Sequence, residues 1–289
     1  MRFKTLYPWA FPIFGLALMF IYAQEWRPWQ RLLVSTVGLL YLLKVTILLK
    51  NLRNLKNFSC TGLLLFMTVW PGMDLSVFKN RNKSDQTALG LLGLGSFRMC
   101  LGLVCVFLLA VFVKRLDSET TGWLGTAALL LTIHLGYSDV LTALMRLGGW
   151  PVRRLFDSPF LSRSLREFWG KRWNSAFIEM DHILFFQPLK QKWGQTPALA
   201  ATFMISGLLH EMGVSYPVWN GWGLPLLYFI LQAAFVILES RWTGAPSGFL
   251  RRLMLPACVL LPLPLLFHDF FRGGLIVPFY QSLNRLLAP

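Results

Sequence analysis

The sequence predicts an all-α polytopic membrane protein with about 7–8 transmembrane helices, and three observations predict it. Its residues are 55% hydrophobic and only 14% charged, with a mean hydropathy of +0.52; an ordinary soluble domain carries about a quarter charged residues. Apolar runs near the roughly 20 residues that a helix needs to cross a bilayer recur along the whole chain. The charge that is present is sorted: a net +15 over 289 residues collects between those runs.

The candidate spans are 6–23, 31–49, 88–113, 121–147, 197–215, 220–240 and 253–271. The first follows Arg2 and Lys4 and precedes no small-residue cleavage site, so it reads as a retained helix and not as a signal peptide. Run 58–73 is shorter, contains "TVWPGM" and ends at a Pro-Gly break. It is either an eighth span or a re-entrant segment buried against protein. Positive residues concentrate on the cytoplasmic side of membrane proteins. The re-entrant reading fits this better, because it leaves only Arg27, Arg31, Lys114, Arg115, Arg272 and Arg285 outside. Under either reading 148–196 faces the cytoplasm and 213–222 lies on the far side. Lys44 is read as snorkelling from its span.

The same sorting answers a nucleic-acid reading of the net charge, since no basic helix stands free of the apolar runs. Cys60, Cys100, Cys105 and Cys258 lack CxxC spacing, which speaks against a zinc site or a disulfide framework and leaves packing roles. No metal site and no cofactor is expected. Gly90, Gly93 and Gly95 of "LGLLGLGSF" match neither GxGxxG nor a P-loop and are read as sites of close helix packing. With no repeat, low-complexity tract or Gly/Ser linker, residues 1–289 read as a single membrane-embedded domain.

Segment 148–196 is too long and too aromatic for a slack connection. In its first part Leu155, Phe156, Phe160, Leu161 and Leu165 alternate with Arg153, Arg154, Arg163 and Arg166, the pattern of an interfacial amphipathic helix. "SLREFWGKRWN" then concentrates unusual chemistry. On a helix Arg166, Trp169, Gly170 and Trp173 share one face, and Asn174 lies one turn from Gly170. Two indoles, a cation and an amide make a wall with donors at one end, which a surface anchor does not need.

The second feature is "FMISGLLHEMG", where His210 and Glu211 lie near the end of an apolar span. Intramembrane ionisable residues are costly and mark function. Ser206, one turn earlier, shares the His210 face. His134 and His268 are read instead as histidines satisfied by neighbouring helices, and Arg98 and Asp139 as an intramembrane ion pair.

"REFWGKRWN" followed by "SGLLHE" resembles the paired signature of the membrane-bound O-acyltransferases, especially their wax-synthase-like branch. The resemblance is strong over 161–216, and "TVWPGMD" (68–74) resembles an upstream element of that branch. It implies acyl transfer from acyl-CoA or an acyl carrier protein to the hydroxyl of a lipophilic alcohol. The catalytic histidine of the family falls on His210 and the asparagine closing the tryptophan-rich motif on Asn174. A neutral imidazole suits a general base for a hydroxyl, and an amide can donate to a tetrahedral oxyanion. Without a GxSxG elbow, direct transfer is expected over an acyl-enzyme. Arg166, Lys171 and Arg172 are candidates for steering the phosphate-bearing donor, Trp169 and Trp173 for lining an acyl tunnel, and Ser206 and Glu211 for substrate contact. Acyl-CoA would be a co-substrate only. The expected location is integral, in the bacterial cytoplasmic membrane or, in a eukaryote, the endoplasmic reticulum. The competing reading is a transporter that uses His210, Glu211, Asp139 and Arg98 as a polar pathway.

Overall fold

A computed structural model describes residues 14–16, 18, 20–23, 25–241 and 248–287. Among them there are helices and no strand. Five are long and apolar enough to cross a membrane: α1 (Pro28–Lys50), α3 (Ala88–Arg115), α4 (Ser118–Leu147), α7 (Gln195–Val218) and α8 (Leu224–Arg241). The pair α9 (Met254–Leu266) and α10 (Asp269–Leu287), bent by 59° at the break between them, makes a sixth candidate span. The first expected span, 6–23, falls largely outside the described residues. Shorter helices α2 (Cys60–Thr68), α5 (Ser175–Asp181) and α6 (Gln187–Trp193) lie between the spans.

The last span departs from expectation. Run 253–271 is not one helix: it breaks between Leu266 and Asp269, and a further helix continues to Leu287. Pro262 and Pro264 each remove a backbone donor in the turn before the break, and His268 caps the new helix by accepting from the Phe271 N–H.

Run 58–73 does not cross. Helix α2 has nine residues, about 14 Å of rise against a hydrocarbon core of about 30 Å. The chain then runs without helix through Trp70 to Asp74, so its backbone groups need partners inside the protein. Lys44 supplies two, donating from Nζ to the carbonyls of Phe66 (2.5 Å) and Gly72 (3.1 Å), with the ammonium 3.8 Å from the Phe66 ring centroid. Glu179 supplies the opposite sign, accepting the N–H groups of Met73 (2.9 Å) and Asp74 (3.1 Å). Lys44 is therefore buried structural wiring and does not snorkel.

Helix α3 packs along α4, and α7 along α8. Close approach explains Gly95 and Gly136. A Cβ on Gly136 would sit 2.6 Å from the Met99 backbone, and one on Gly95 2.7 Å from the Val140 nitrogen. Gly90 and Gly93 correct the expectation, because nothing lies within 4 Å of a Cβ placed there. Cys60 and Cys100 are exposed and do not serve as core packing.

Segment 151–163 is not an amphipathic helix. It is irregular apart from one 3-10 turn, Pro159–Leu161. Leu155 and Phe156 are buried in the core, while Phe160 and Leu161 are exposed. The cause is an anchor the pattern did not reveal: Arg154 reaches Asp139 of α4 with Nε at 2.6 Å and Nη2 at 2.7 Å. Asp139 also accepts from Arg98 of α3 at 2.7 Å, so the expected intramembrane pair is one side of a triad.

Removing the shared carboxylate would leave the Arg98 guanidinium without its counter-charge and Arg154 with only Asp157, at 3.6 Å. Breaking a buried pair from one side costs about 3–5 kcal/mol. Asp139→Ala is expected to lower the thermal midpoint of detergent-extracted protein by several degrees. Arg98→Ala, which keeps the Arg154 pair, should cost clearly less. Equal midpoints for both variants and the parent would show that the triad does not stabilise the fold.

Candidate active site

The paired motifs meet in one place. After a single helical turn, Leu165–Glu167, the chain forms a wider π-helical turn, Phe168–Arg172, closed by Trp173 N–H to Phe168 O at 2.9 Å. Glu239 of α8 anchors its start by accepting from Leu165 N (3.0 Å) and Arg166 N (3.2 Å). Asn174 ends the turn in a left-handed conformation, φ 51° and ψ 72°, which asparagine tolerates better than most residues. As N-cap of α5, its Oδ1 accepts weakly from Phe177 N at 3.4 Å. The side-chain amide nitrogen has no partner among the described residues.

His210 lies on α7 between two aromatic rings, with Phe177 at 5.1 Å and Phe229 at 4.3 Å between centroids. Its Nδ1 is 2.7 Å from the backbone oxygen of Ser206. A carbonyl only accepts, so Nδ1 carries the proton and Nε2 presents a lone pair. Ser206 uses its hydroxyl elsewhere, donating to Asp181 Oδ2 at 2.6 Å.

Two cavities meet at His210 and Asn174. The larger, about 1280 Å³, runs from Phe160 and Leu161 at the 148–163 end to Val214 and Phe271 at the other, and its walls are mostly apolar. The smaller, about 280 Å³, lies between the π-turn, α5, α7 and α8 and is bounded by Arg166, Asp181 and His182. Trp169, Trp173, Asn174, Phe177, His210 and Phe229 line both. Trp169 is fixed by donating its indole N–H to Gln232 of α8 at 3.0 Å.

The expected wall of Arg166, Trp169, Gly170, Trp173 and Asn174 does border the smaller cavity. Three other candidates lie elsewhere. Glu211 turns away and caps the start of α8, accepting from Gly223 N and Leu226 N at 3.0 Å each. Arg172 folds back onto Glu167 Oε1 at 2.7 Å and the Asp157 carbonyl at 3.1 Å. Lys171 is exposed and lines neither cavity. None of the three lines either cavity: Glu211 leaves the regular helix α7 on another side, and Lys171 and Arg172 leave the distorted turn, where spacing does not fix direction.

Other residues at the site were not picked out. His134, expected to be satisfied by a neighbouring helix, lines the larger cavity, and its buried Nδ1 has no hydrogen-bond partner among the described residues. Asp181 lines the smaller cavity with Oδ1 equally unpartnered. Gln232 was legible in principle, as a lone amide in an otherwise apolar span. Asp181 lies outside the spans, and burial pushes its carboxyl up to about 7.

A helical integral membrane protein with a half-buried histidine and asparagine at the junction of two cavities is the class that this geometry defines. Residues 150–231 match the Membrane bound O-acyl transferase family. It is 28% identical over 102 residues to a long-chain-alcohol O-fatty-acyltransferase of Simmondsia chinensis, covering 31% of this chain and 29% of that protein. It is 29% identical over 188 residues to the probable long-chain-alcohol O-fatty-acyltransferase 2 of Arabidopsis thaliana, covering 57% and 54%. It is also 30% identical over 116 residues to the probable alginate O-acetylase AlgI of Pseudomonas syringae pv. tomato, covering 37% and 22%. The chain thus spans from under a third to about half the length of the plant relatives it matches.

The raised Asp181 carboxyl has a consequence for stability. The folded protein holds that proton more tightly than the unfolded chain, whose aspartates titrate near 4. Its contribution to stability therefore falls as pH rises from about 4 to about 7 and stays low above that. Asp181→Asn, which cannot ionise, should melt a few degrees above the parent at pH 8, and the gap should close near pH 4.5. A gap that does not change with pH would remove the buried charge as its cause.

Proposed function

We propose that the protein moves a fatty acyl group from a thioester to the hydroxyl of a lipophilic alcohol. The observation that carries this reading is the His210 imidazole. Its Nδ1 is committed to Ser206 O, and its free Nε2 belongs to a ring that lines both cavities. His210 removes the hydroxyl proton as the alcohol oxygen attacks the thioester carbon. The Asn174 amide donates to the oxygen as negative charge builds on it. The carbon–sulfur bond then breaks and the departing thiolate takes the proton back from His210, giving ester and free thiol. The step balances with no cofactor beyond the thioester itself.

The two cavities divide the substrates. The larger suits a long aliphatic chain, because its walls are mostly apolar and burial of each methylene contributes about 0.8 kcal/mol. That lining favours a fatty alcohol acceptor over a polysaccharide of the kind named for the alginate relatives. The smaller opens beside the cationic segment 148–196, the cytoplasmic side by the charge reading, where acyl-CoA or an acyl carrier protein arrives. Arg166 borders it; Lys171, exposed nearby, belongs to the same positive field.

A transporter would need its ionisable residues along one path. Glu211 is engaged with the α8 start and Asp139 with two arginines. Their engagement supports the enzyme reading. The direct test is incubation of purified protein with labelled long-chain acyl-CoA and a panel of long-chain alcohols. Ester is expected, His210→Ala should lower its rate about 10²–10⁴-fold, and Asn174→Ala should depress kcat about 10²–10³-fold. No ester from folded parent protein with any alcohol would overturn the proposal, and a His210→Ala variant with most of its activity would remove the imidazole from the mechanism.

A further inference from the structure

Asp181 is the polar group of the smaller cavity that the proposed chemistry leaves unused. Its Oδ2 accepts from the Ser206 hydroxyl at 2.6 Å, and its Oδ1 is shielded from solvent with no donor among the described residues. A buried acceptor without a donor costs stability and calls for an explanation. Asp181 also lines the cavity that leads to His210, so a bound ligand can supply the missing donor.

The position restricts what that ligand is. Ser206 precedes His210 by four residues on α7, about 6 Å along the helix axis and toward the Gln195 end. Ser206 links the two groups, its hydroxyl bonded to the Asp181 carboxylate and its carbonyl to the His210 ring, so Asp181 lies within one residue's reach of the imidazole. In the proposed reaction the thioester sulfur must lie beside His210 to recover its proton. In both acyl-CoA and acyl carrier protein that sulfur is joined to a pantetheine arm. Two methylenes separate it from the first amide nitrogen, about 4 Å by ordinary bond lengths. A donor whose acyl carbon is at His210 and whose arm runs out through the smaller cavity brings an amide N–H to the level of Asp181.

The geometry points to Asp181 as the hydrogen-bond acceptor for the first amide N–H of the pantetheine arm. This rests on the acyl-transfer reading and names the donor contact that goes with it. Asp181 is a binding residue for the donor and takes no proton in the reaction. Burial pushes its carboxyl up to about 7, so the charged acceptor is present at pH 8, where the test is run.

The test compares four donors with one acyl chain: acyl-CoA, acyl carrier protein, the N-acetylcysteamine thioester, which keeps the first amide, and a butanethiol thioester, which has none. Asp181→Asn turns the free acceptor toward a donor and should raise KM roughly tenfold for the three amide-bearing donors. Its kcat should stay within a few-fold, and the butanethiol thioester should show no change. Either natural donor having the lower KM supports the contact and identifies the source of the arm. A loss of kcat shared by all four donors would mean that Asp181 only holds Ser206 and α7 in place, and would overturn the assignment. Calorimetric binding of the unreactive S-alkyl thioethers of CoA, N-acetylcysteamine and butanethiol reads the contact without turnover. Tenfold weaker binding of the two amide-bearing thioethers in the variant, from a parent that makes no ester, would remove acyl transfer and keep the site. Equal affinities in parent and variant would remove the site whatever the activity. If Asp181→Asn does not fold, the parent decides: a butanethiol thioether that binds as tightly as its N-acetylcysteamine counterpart overturns the contact.

Discussion

A backbone amide inside a bilayer has no water to bond to, and an unsatisfied one costs several kcal/mol. Three departures from regular helix among the described residues are arranged around that constraint. The non-helical run after α2 would be untenable in lipid; Lys44 answers two carbonyls and Glu179 two N–H groups. The start of α8 gives its orphan N–H groups to Glu211, and the turn that begins at Leu165 gives its own to Glu239. Buried charges are costly in themselves. Lys44, Glu179 and Glu211 stand where broken or starting helices expose backbone, so each cost offsets another.

The site depends on the same arrangement. Its walls join the regular helices α1, α7 and α8 to interrupted elements: the π-turn before Asn174, the left-handed residue itself, and the re-entrant segment that brings Pro71 and Met73 to the larger cavity. His210 stands on the regular helix α7, held by Ser206, while the irregular elements build the space around it. In the proposed reaction this puts the imidazole on a regular helix at the point where the two substrates meet.

Much of the fold was legible in the sequence because burial in lipid imposes a length and a composition on each span. The six candidate spans among the described residues correspond to six of the apolar runs. Segment 151–163 has the alternation of an interfacial helix, and pattern alone cannot reveal that Asp139 pulls Arg154 inward and buries Leu155 and Phe156 with it. Run 253–271 reads as one span because hydropathy registers the prolines only faintly. Lys44 reads as snorkelling because its partners, the carbonyls of Phe66 and Gly72, belong to a turn that exists only in the folded chain.

For the site, the sequence by itself determined the chemistry: the residue types in "SLREFWGKRWN" and "SGLLHE", their order, and hence a histidine and an asparagine with tryptophans beside them. It also determined that this chemistry sits in a chain built for lipid. Only the tertiary structure decided direction. It turned Glu211 and Arg172 onto the scaffold and His134 and Asp181 toward the cavities, and it set Asn174 and His210 at one junction. The physical reason is that composition and spacing act locally, through hydrophobicity and helical period. The direction of a side chain beside a break is set by whichever distant backbone group needs a partner, and that is known only when the chain has folded.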